Sequence, residues 1–268
     1  MKLLVVAADK REFRGIVDRS KPAGALVGSD GLGSRTGGDE SRDDSRLCRP
    51  GGLRHDRGEC VRECQPVDWT RRAKLGDYDL LLVANGAGPA RAAAAVDRTV
   101  ESFAPDSIVS TGFCGALDEG LELASVIVGT EVTGANGRFG ARTPAMSPKH
   151  HLGVVVTIDH VAQTAAEKYR LRQSGASAVD MEAAAVAERS VALGLPFFCI
   201  KAVTDLAGED MANDLNAAMR SDGHFDTMKV LDSIFCRPLV RLPELLRLRS
   251  RAVRAACALG DFFADCRF

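Results

Sequence analysis

The sequence has almost no net charge, no apolar run long enough for a bilayer and no paired C-x-x-C motif, and each shortage removes a class of function. Its 35 Lys and Arg stand against 36 Asp and Glu, leaving −1 at neutral pH. Without a global basic field, nothing argues for nucleic acid as a partner. The apolar stretch at the amino terminus, Leu3 to Ala8, is short and runs into charge, so no signal peptide is read. The expected location is cytoplasmic. Three of the eight cysteines, Cys48, Cys60 and Cys64, lie near His55, but their spacing matches no common zinc pattern, so no metal is expected. Gly28, Gly31 and Gly33 do not spell G-x-G-x-x-G, which excludes a nicotinamide site of that type.

What is present is enough apolar material, 46% of 268 residues, to build one α/β domain with a sizeable core. The most informative stretch runs from Ala176 to Gly208. Within it, Pro196 to Thr204 is apolar except for Lys201, the pattern of a central strand covered on both faces. Asp205 follows directly. In open α/β sheets ligands sit at the carboxyl ends of strands, so an acid there is a site candidate. Upstream, Asp180 and Glu182 flank Met181 at the start of an Ala-rich helix, where an acid is costly unless paired. The plain alternative makes Asp180 a helix cap and Asp205 a loop residue.

Taken in order, Met1 to Ala8 reads as a strand, and Asp9 caps a short helix over Lys10 to Val17 with Glu12 in its first turn. On the residues alone Glu12 complements the helix dipole. Residues 20–64 are crowded with Gly, Arg, Asp and Ser and lack apolar periodicity, which predicts a disordered or irregular excursion. It reads either as a genuine insertion or as a stretch of altered reading frame. Asp79 to Ala84 is the next core strand. Asn85 to Gly88 turns the chain, and Pro89 opens a helix to about Phe103. The glycines of that turn fit a tight crossover. Ser107 to Thr111 is a strand ending at Gly112-Phe113-Cys114-Gly115. Cys114 and Cys199 are expected to be buried thiols. Ala124 to Val132 and Gly153 to Ile158 are strands separated by a loop, and Asp159, His160 and a helix from Val161 to Arg172 follow. Helices are expected at Asp214 to Met219 and Phe225 to Phe235. Residues 237–268 form a basic amphipathic tail whose helix starts at Pro243 and runs to about Leu259. Such a helix either docks on its own domain with snorkelling arginines or rests on an anionic membrane. The expected division is therefore 1–236 and 237–268.

Four segments, in order, carry a resemblance. They are M-K-L-L-V-V-A-A-D-K-R-E-F at the amino terminus; N-G-A-G-P-A-R-A-A-A-A, Asn85 to Ala95; S-T-G-F-C-G-A-L, Ser110 to Leu117; and V-D-M-E-A-A-A-V-A followed by P-F-F-C-I-K-A-V-T-D. Together they resemble the purine nucleoside phosphorylase and nucleosidase superfamily over residues 1–17 and roughly 65–235. Methylthioadenosine/S-adenosylhomocysteine nucleosidase, futalosine hydrolase and the hopanoid-associated phosphorylases are similar, the last most of all. The resemblance implies a three-layer α/β/α domain with a central mixed, twisted sheet. It implies cleavage of the N-glycosidic bond of a purine nucleoside, adenine in particular, with a 5′ substituent; in the hopanoid branch that substrate is adenosylhopane, and a tail resting on the inner membrane face would suit it. Asp205 would be the acid on the purine, Glu12 the base that aims water, and Glu182 the acceptor from the ribose hydroxyls with Met181 packed beside the sugar. Phe113, Cys114 and Gly115 would border base and sugar, and His160 would touch the base. No cofactor is implied. Homodimers or higher homo-oligomers are. Phe113 stands where relatives often have a small hydroxyl residue, and Ser110 where hexameric phosphorylases have arginine. Both departures argue against inorganic phosphate as co-substrate, unless another basic residue has taken over. A non-catalytic nucleoside-binding protein is the alternative outside enzymes.

Overall fold

Leu3 and Val5 of the first strand face one side of a sheet, Leu4 and Val6 the other, and both sides are sealed from water. That double burial is what a run of alternating apolar residues produces when helices cover both faces. The architecture described here is that of a computed structural model, which describes residues 1–23, 67–145, 147–220, 222–224, 226 and 238–268. Most of the expected excursion, the cysteines at 48, 60 and 64 with His55, and the helix expected over Phe225 to Phe235 lie outside the described residues.

Strand β1 (Lys2–Ala7) leads into a 3-10 turn (Lys10–Phe13) and α1 (Arg14–Arg19). Asp9 caps the turn, accepting from the Arg11 amide at 2.8 Å. Lys21–Pro22 then forms a short strand, β2, antiparallel to β3 (Trp69–Leu75), so the irregular stretch does not begin at residue 20. The sheet edge supplies the order that composition did not, and Pro22, lacking an amide hydrogen, is tolerated there. β4 (Tyr78–Ala84) and α2 (Pro89–Phe103) follow as expected. β5 (Ser107–Ala116) is twice its expected length, because the Gly112–Gly115 segment stays paired with β10 (Phe197–Asp205). Beyond β6 (Val126–Gly134) the expected loop contains a strand, β7 (Gly137–Gly140), paired back onto β6. β8 (His151–Thr157), α3 (Ala165–Arg172), β9 (Ala178–Asp180), α4 (Ala183–Ala192) and α5 (Leu215–Ala218) complete the described chain up to the last helix.

The sheet is mixed. β4, β1, β5 and β10 run parallel and adjacent, so Ala84, Ala7, Ala116 and Asp205 end on one side. β10 also pairs antiparallel with β6, and β6, β8, β9 and β5 pair in succession, which closes five strands into a ring. β10 is thus central and buried on both faces. α2 and α4 pack against one face. α1 and the last helix, α6 (Pro238–Asp265), pack against the other. This is the expected three-layer α/β/α arrangement.

α6 differs from expectation at both ends: expected from Pro243 to about Leu259, it continues to Asp265. It begins five residues before Pro243, which sits inside it. The missing amide hydrogen orphans one carbonyl near Leu239, which is 90% exposed, so water can take its place. The carboxyl-terminal half is core: Ala255, Leu259, Phe262 and Phe263 are fully buried. Gly15 and Gly260 let α1 and α6 touch through their backbones; a Cβ on Gly260 would lie 2.2 Å from the Gly15 carbonyl carbon. Leu239, Val240, Leu242 and Leu246, in the other half, are exposed. Among the described residues no helix is long and apolar enough to cross a membrane.

Candidate active site

Three of the acids singled out from sequence, Glu12, Glu182 and Asp205, are each more than nine-tenths buried at the carboxyl ends of the parallel strands. β5 is their common reference. Gly112 has φ +118°, and a side chain there would strike Glu12, with a Cβ only 2.0 Å from Oε2. Three residues on, a Cβ at Gly115 would lie 2.9 Å from Asp205 Oδ2. Glu12 and Asp205 therefore meet the same strand about 10 Å apart along its length, at ~3.3 Å per residue. Only glycine fits at Gly112, because the positive φ and the carboxylate both exclude a side chain.

Glu182 occupies the N-cap position of α4, yet its carboxylate does not cap that helix. Asp180 does so instead, accepting from the Ala183 amide at 2.9 Å. Glu182 reaches across to the start of α2, where the Gly88 amide donates to Oε1 at 3.0 Å. The glycine turn does more than cross over tightly: one of its amides orients an acid. Burial raises the Glu182 pKa, and the Lys201 ammonium works against that rise. Burial pushes Glu12 well above the usual carboxylate range, and the negative charge of Glu182 pushes it further. Glu12 and Glu182 thus share one electrostatic pocket.

Lys201 holds that pocket together. Its side chain is fully buried, with Nζ 2.7 Å from Asp180 Oδ2, 4.0 Å from Glu182 Oε2 and 3.0 Å from the Thr111 carbonyl. Its pKa is raised: burial alone would lower it, but Asp180 and Glu182 outweigh burial. Thr157 donates to Asp180 Oδ1 at 2.6 Å. A buried lysine without partners would lose its proton; this one is ringed by acids and keeps it. In sequence Lys201 appears only as the charge that interrupts an apolar strand, and that interruption is the signal: a cation on a doubly covered strand demands an anion nearby.

Asp205 has different company. Lys168, also fully buried, places Nζ 2.5 Å from Asp205 Oδ2 and donates to the Leu206 carbonyl at 2.8 Å. Thr204 donates to Oδ1 at 3.1 Å. Burial raises the Asp205 pKa and Lys168 opposes it. No periodicity in the polar helix α3 marks Lys168. Cys114, between the two glycines, is buried with its thiol pushed well up by desolvation. Phe113, Gly115 and Met181 are half-buried along the same edge. His160 lies elsewhere in its contacts: it is exposed, 2.7 Å from Asp159 and 2.6 Å from Glu167, and those neighbours raise its pKa.

The arrangement sets two buried carboxyls, Glu12 and Asp205, against two glycines of one strand, with Glu182 oriented by Lys201 and the Gly88 amide. The family profile described as Phosphorylase superfamily matches residues 62–150 and 136–228. The 5′-methylthioadenosine/S-adenosylhomocysteine nucleosidase of Exiguobacterium sp. is 25% identical over 166 residues, covering 51% of this chain and 71% of that protein. Among solved structures, the nucleosidase of the same name from S. pneumoniae, with the transition-state inhibitor MT-ImmA, aligns with a TM-score of 0.58 at 16% identity over 99% of both chains. Futalosine hydrolase of Helicobacter pylori aligns with a TM-score of 0.57 at 14% identity, over 97% of this chain and 96% of that one. At those identities the two structures speak for the fold.

Proposed function

The chain belongs to the phosphorylase superfamily, and from that membership we propose that it is a nucleosidase that hydrolyses the N-glycosidic bond of an adenine nucleoside carrying a 5′ substituent, methylthioadenosine or S-adenosylhomocysteine in the first place. The observation that carries this reading is the burial of Glu12, Glu182 and Asp205 at one end of one strand set, with Gly112 and Gly115 clearing the space beside two of them. As the C1′–N9 bond breaks, positive charge grows on the ribose and negative charge on the purine. Asp205 donates a proton to the purine. Glu182 accepts from the ribose hydroxyls, held by the Gly88 amide. Glu12 takes a proton from the attacking water, in the manner of an inverting glycosidase with its two carboxyl groups on opposite sides of the reacting carbon. Its raised pKa, caused by burial and Glu182, makes it a stronger base than a solvated carboxylate.

Water is favoured over phosphate because Ser110, standing where an arginine would be needed, is fully buried within β5. A second reading, adenosylhopane as the substrate in hopanoid biosynthesis, draws on the exposed Leu239, Leu242 and Leu246 of α6 as a surface for a lipid-bearing substrate. The relatives described above favour the smaller nucleosides.

The test is adenine release from methylthioadenosine, S-adenosylhomocysteine and a 5′-lipidated adenosine, each with and without inorganic phosphate. Release without phosphate is expected, and Asp205→Asn is expected to lower it by roughly 10²–10⁴-fold. Full turnover in a folded Asp205→Asn protein would overturn the acid assignment, and strict phosphate dependence would overturn hydrolysis.

A further inference from the structure

We infer that Lys168 is a positioning residue that stores the proton which Asp205 delivers to the departing base, so that the acid of this site is a buried Lys–Asp pair rather than a lone carboxyl. The inference rests on the N-glycosidic reading above and deepens it.

Lys168 is the residue that α3 buries. The next residue, Tyr169, is 67% exposed, and Leu171 packs only partly buried against a small apolar cluster, so the one side chain this helix buries fully is a charged one. What it sends inward is an ammonium whose two identified partners are Asp205 Oδ2 and the Leu206 carbonyl. A buried ion pair is a poor device for stability, since apolar side chains of similar volume serve as well or better. Its retention against the acid of the site therefore calls for a chemical reason. At 2.5 Å Nζ and Oδ2 are close enough for a proton to pass between them. Passing it across converts ammonium and carboxylate into amine and carboxylic acid, with no change in the net charge of the pair and with two buried charges removed.

The steps balance. The C1′–N9 bond breaks with its electron pair going to the purine. Asp205 gives a proton to the purine nitrogen, and Lys168 Nζ supplies the proton that Asp205 gives. Oδ2, the oxygen that receives from lysine, is also the one a Cβ on Gly115 would meet at 2.9 Å, so it lies against the Gly112–Gly115 segment. Water adds hydroxide to C1′ and its other proton to Glu12. The site returns to its starting state when Glu12 loses a proton to solvent and Lys168 regains one. The other groups around the pair do not compete as donors. Glu209 is held as an anion by Arg251 of α6, Cys114 is a buried neutral thiol with a raised pKa, and Thr204 has the Cys114 carbonyl, 3.4 Å away, as a second acceptor.

The experiment compares Lys168→Arg and Lys168→Gln with the unaltered full chain, each checked for folding by thermal melting, with kcat/KM for adenine release measured from pH 5 to 9. Arginine keeps a cation beside Asp205 but does not release its proton in proteins. Glutamine keeps hydrogen bonds but carries no proton to give. Lys168→Arg is expected to lose roughly 10²–10⁴-fold across the range. Lys168→Gln is expected to work only while Asp205 itself holds a proton, falling tenfold per pH unit above that titration, where the unaltered chain stays level. Either folded variant with an unaltered rate and pH profile overturns the proton store. Asp205→Asn separates the two readings: if it is active the acid assignment falls, whereas if it is inactive while Lys168→Arg is fully active, only the role of Lys168 falls.

Discussion

Glu12 is badly placed for folding and well placed for chemistry. A carboxyl whose folded pKa is raised contributes stability that is complete below its unfolded pKa of about 4.3 and is lost as pH rises through the folded value. Burial and the charge of Glu182 raise Glu12, so at neutral pH its ionisation opposes the fold. Glu12→Gln is expected to raise the melting temperature at pH 7–8, with the gain vanishing below about pH 4, while lowering adenine release by roughly 10²–10⁴-fold. Thermal melts across pH, set beside turnover, check both halves; a variant that melts lower at pH 8 would show that the ionised form is satisfied by partners. Asp205 and Glu182 stood out in sequence because acids beside apolar segments are conspicuous, whereas Glu12 looked like a helix-dipole acid and was singled out only by the family resemblance. The lysines did not stand out. Lys201 could have been found from its strand, since eight apolar or neutral neighbours leave a charge no exit to solvent. Lys168 had no such context: it lies among Glu167, Tyr169, Arg170 and Arg172, and nothing but the tertiary fold distinguishes it from them.

At the scale of elements, the segment following β10 is tied down by α6. Glu244, 4% exposed, accepts from the Ala212 and Asn213 amides at 2.7 Å each and from the Asn213 side chain. Two turns nearer the sheet-buried end, Arg251 grips Glu209 with two hydrogen bonds of 2.7 and 2.8 Å. The Arg251 guanidinium holds the Glu209 carboxyl down at about 2. A depressed acid contributes stability that is present above its unfolded pKa of about 4.3 and is lost as pH falls through the folded value. Arg251→Met is therefore expected to lower the melting temperature at pH 7, and the difference from the unaltered protein should close between about pH 4 and pH 2. The loss should be modest, on the order of 1 kcal/mol, because Glu209 is about one-third exposed and solvent screens the pair. Melts at pH 7, 4 and 2.5 decide it; a gap as wide at pH 2.5 as at pH 7 would mean that Arg251 acts through packing alone. The helix itself was read from its amphipathic pattern, but its start was not. Pro243 looks like a first-turn residue by local rules, and the turn before it is met by the Asn213 side-chain amide, which donates to the Arg241 carbonyl at 3.2 Å.

For the whole molecule, the question is whether residues 237–268 are a tail or a layer. The basic amphipathic pattern allowed a helix docked on its own domain with snorkelling arginines, or one resting on a membrane. The buried apolar residues support docking, because they are concentrated after Val253 and share a cluster with Leu3, Val5, Leu80, Leu82, Val109 and Ile200 of the sheet. α1, only six residues long, cannot cover that face. Tyr78, Phe198 and Phe263 close around Phe268, and the Phe268 amide donates to the Tyr78 hydroxyl at 3.0 Å. Burial of Leu259, Phe262 and Phe263 is worth roughly 1.5–3 kcal/mol each, against a total of about 5–15 kcal/mol for a typical domain. A chain ending at residue 236 would leave one face of the central sheet uncovered while the other kept α2 and α4. It is expected to lose cooperative melting, bind a hydrophobic dye and release no adenine. Truncation at residue 236, followed by calorimetry, dye binding and the adenine assay, makes the comparison. A truncated chain that melts cooperatively within a few degrees of the full one would mean that the carboxyl-terminal helix is an appendage, and that the two-layer remainder holds its buried acids in place unaided.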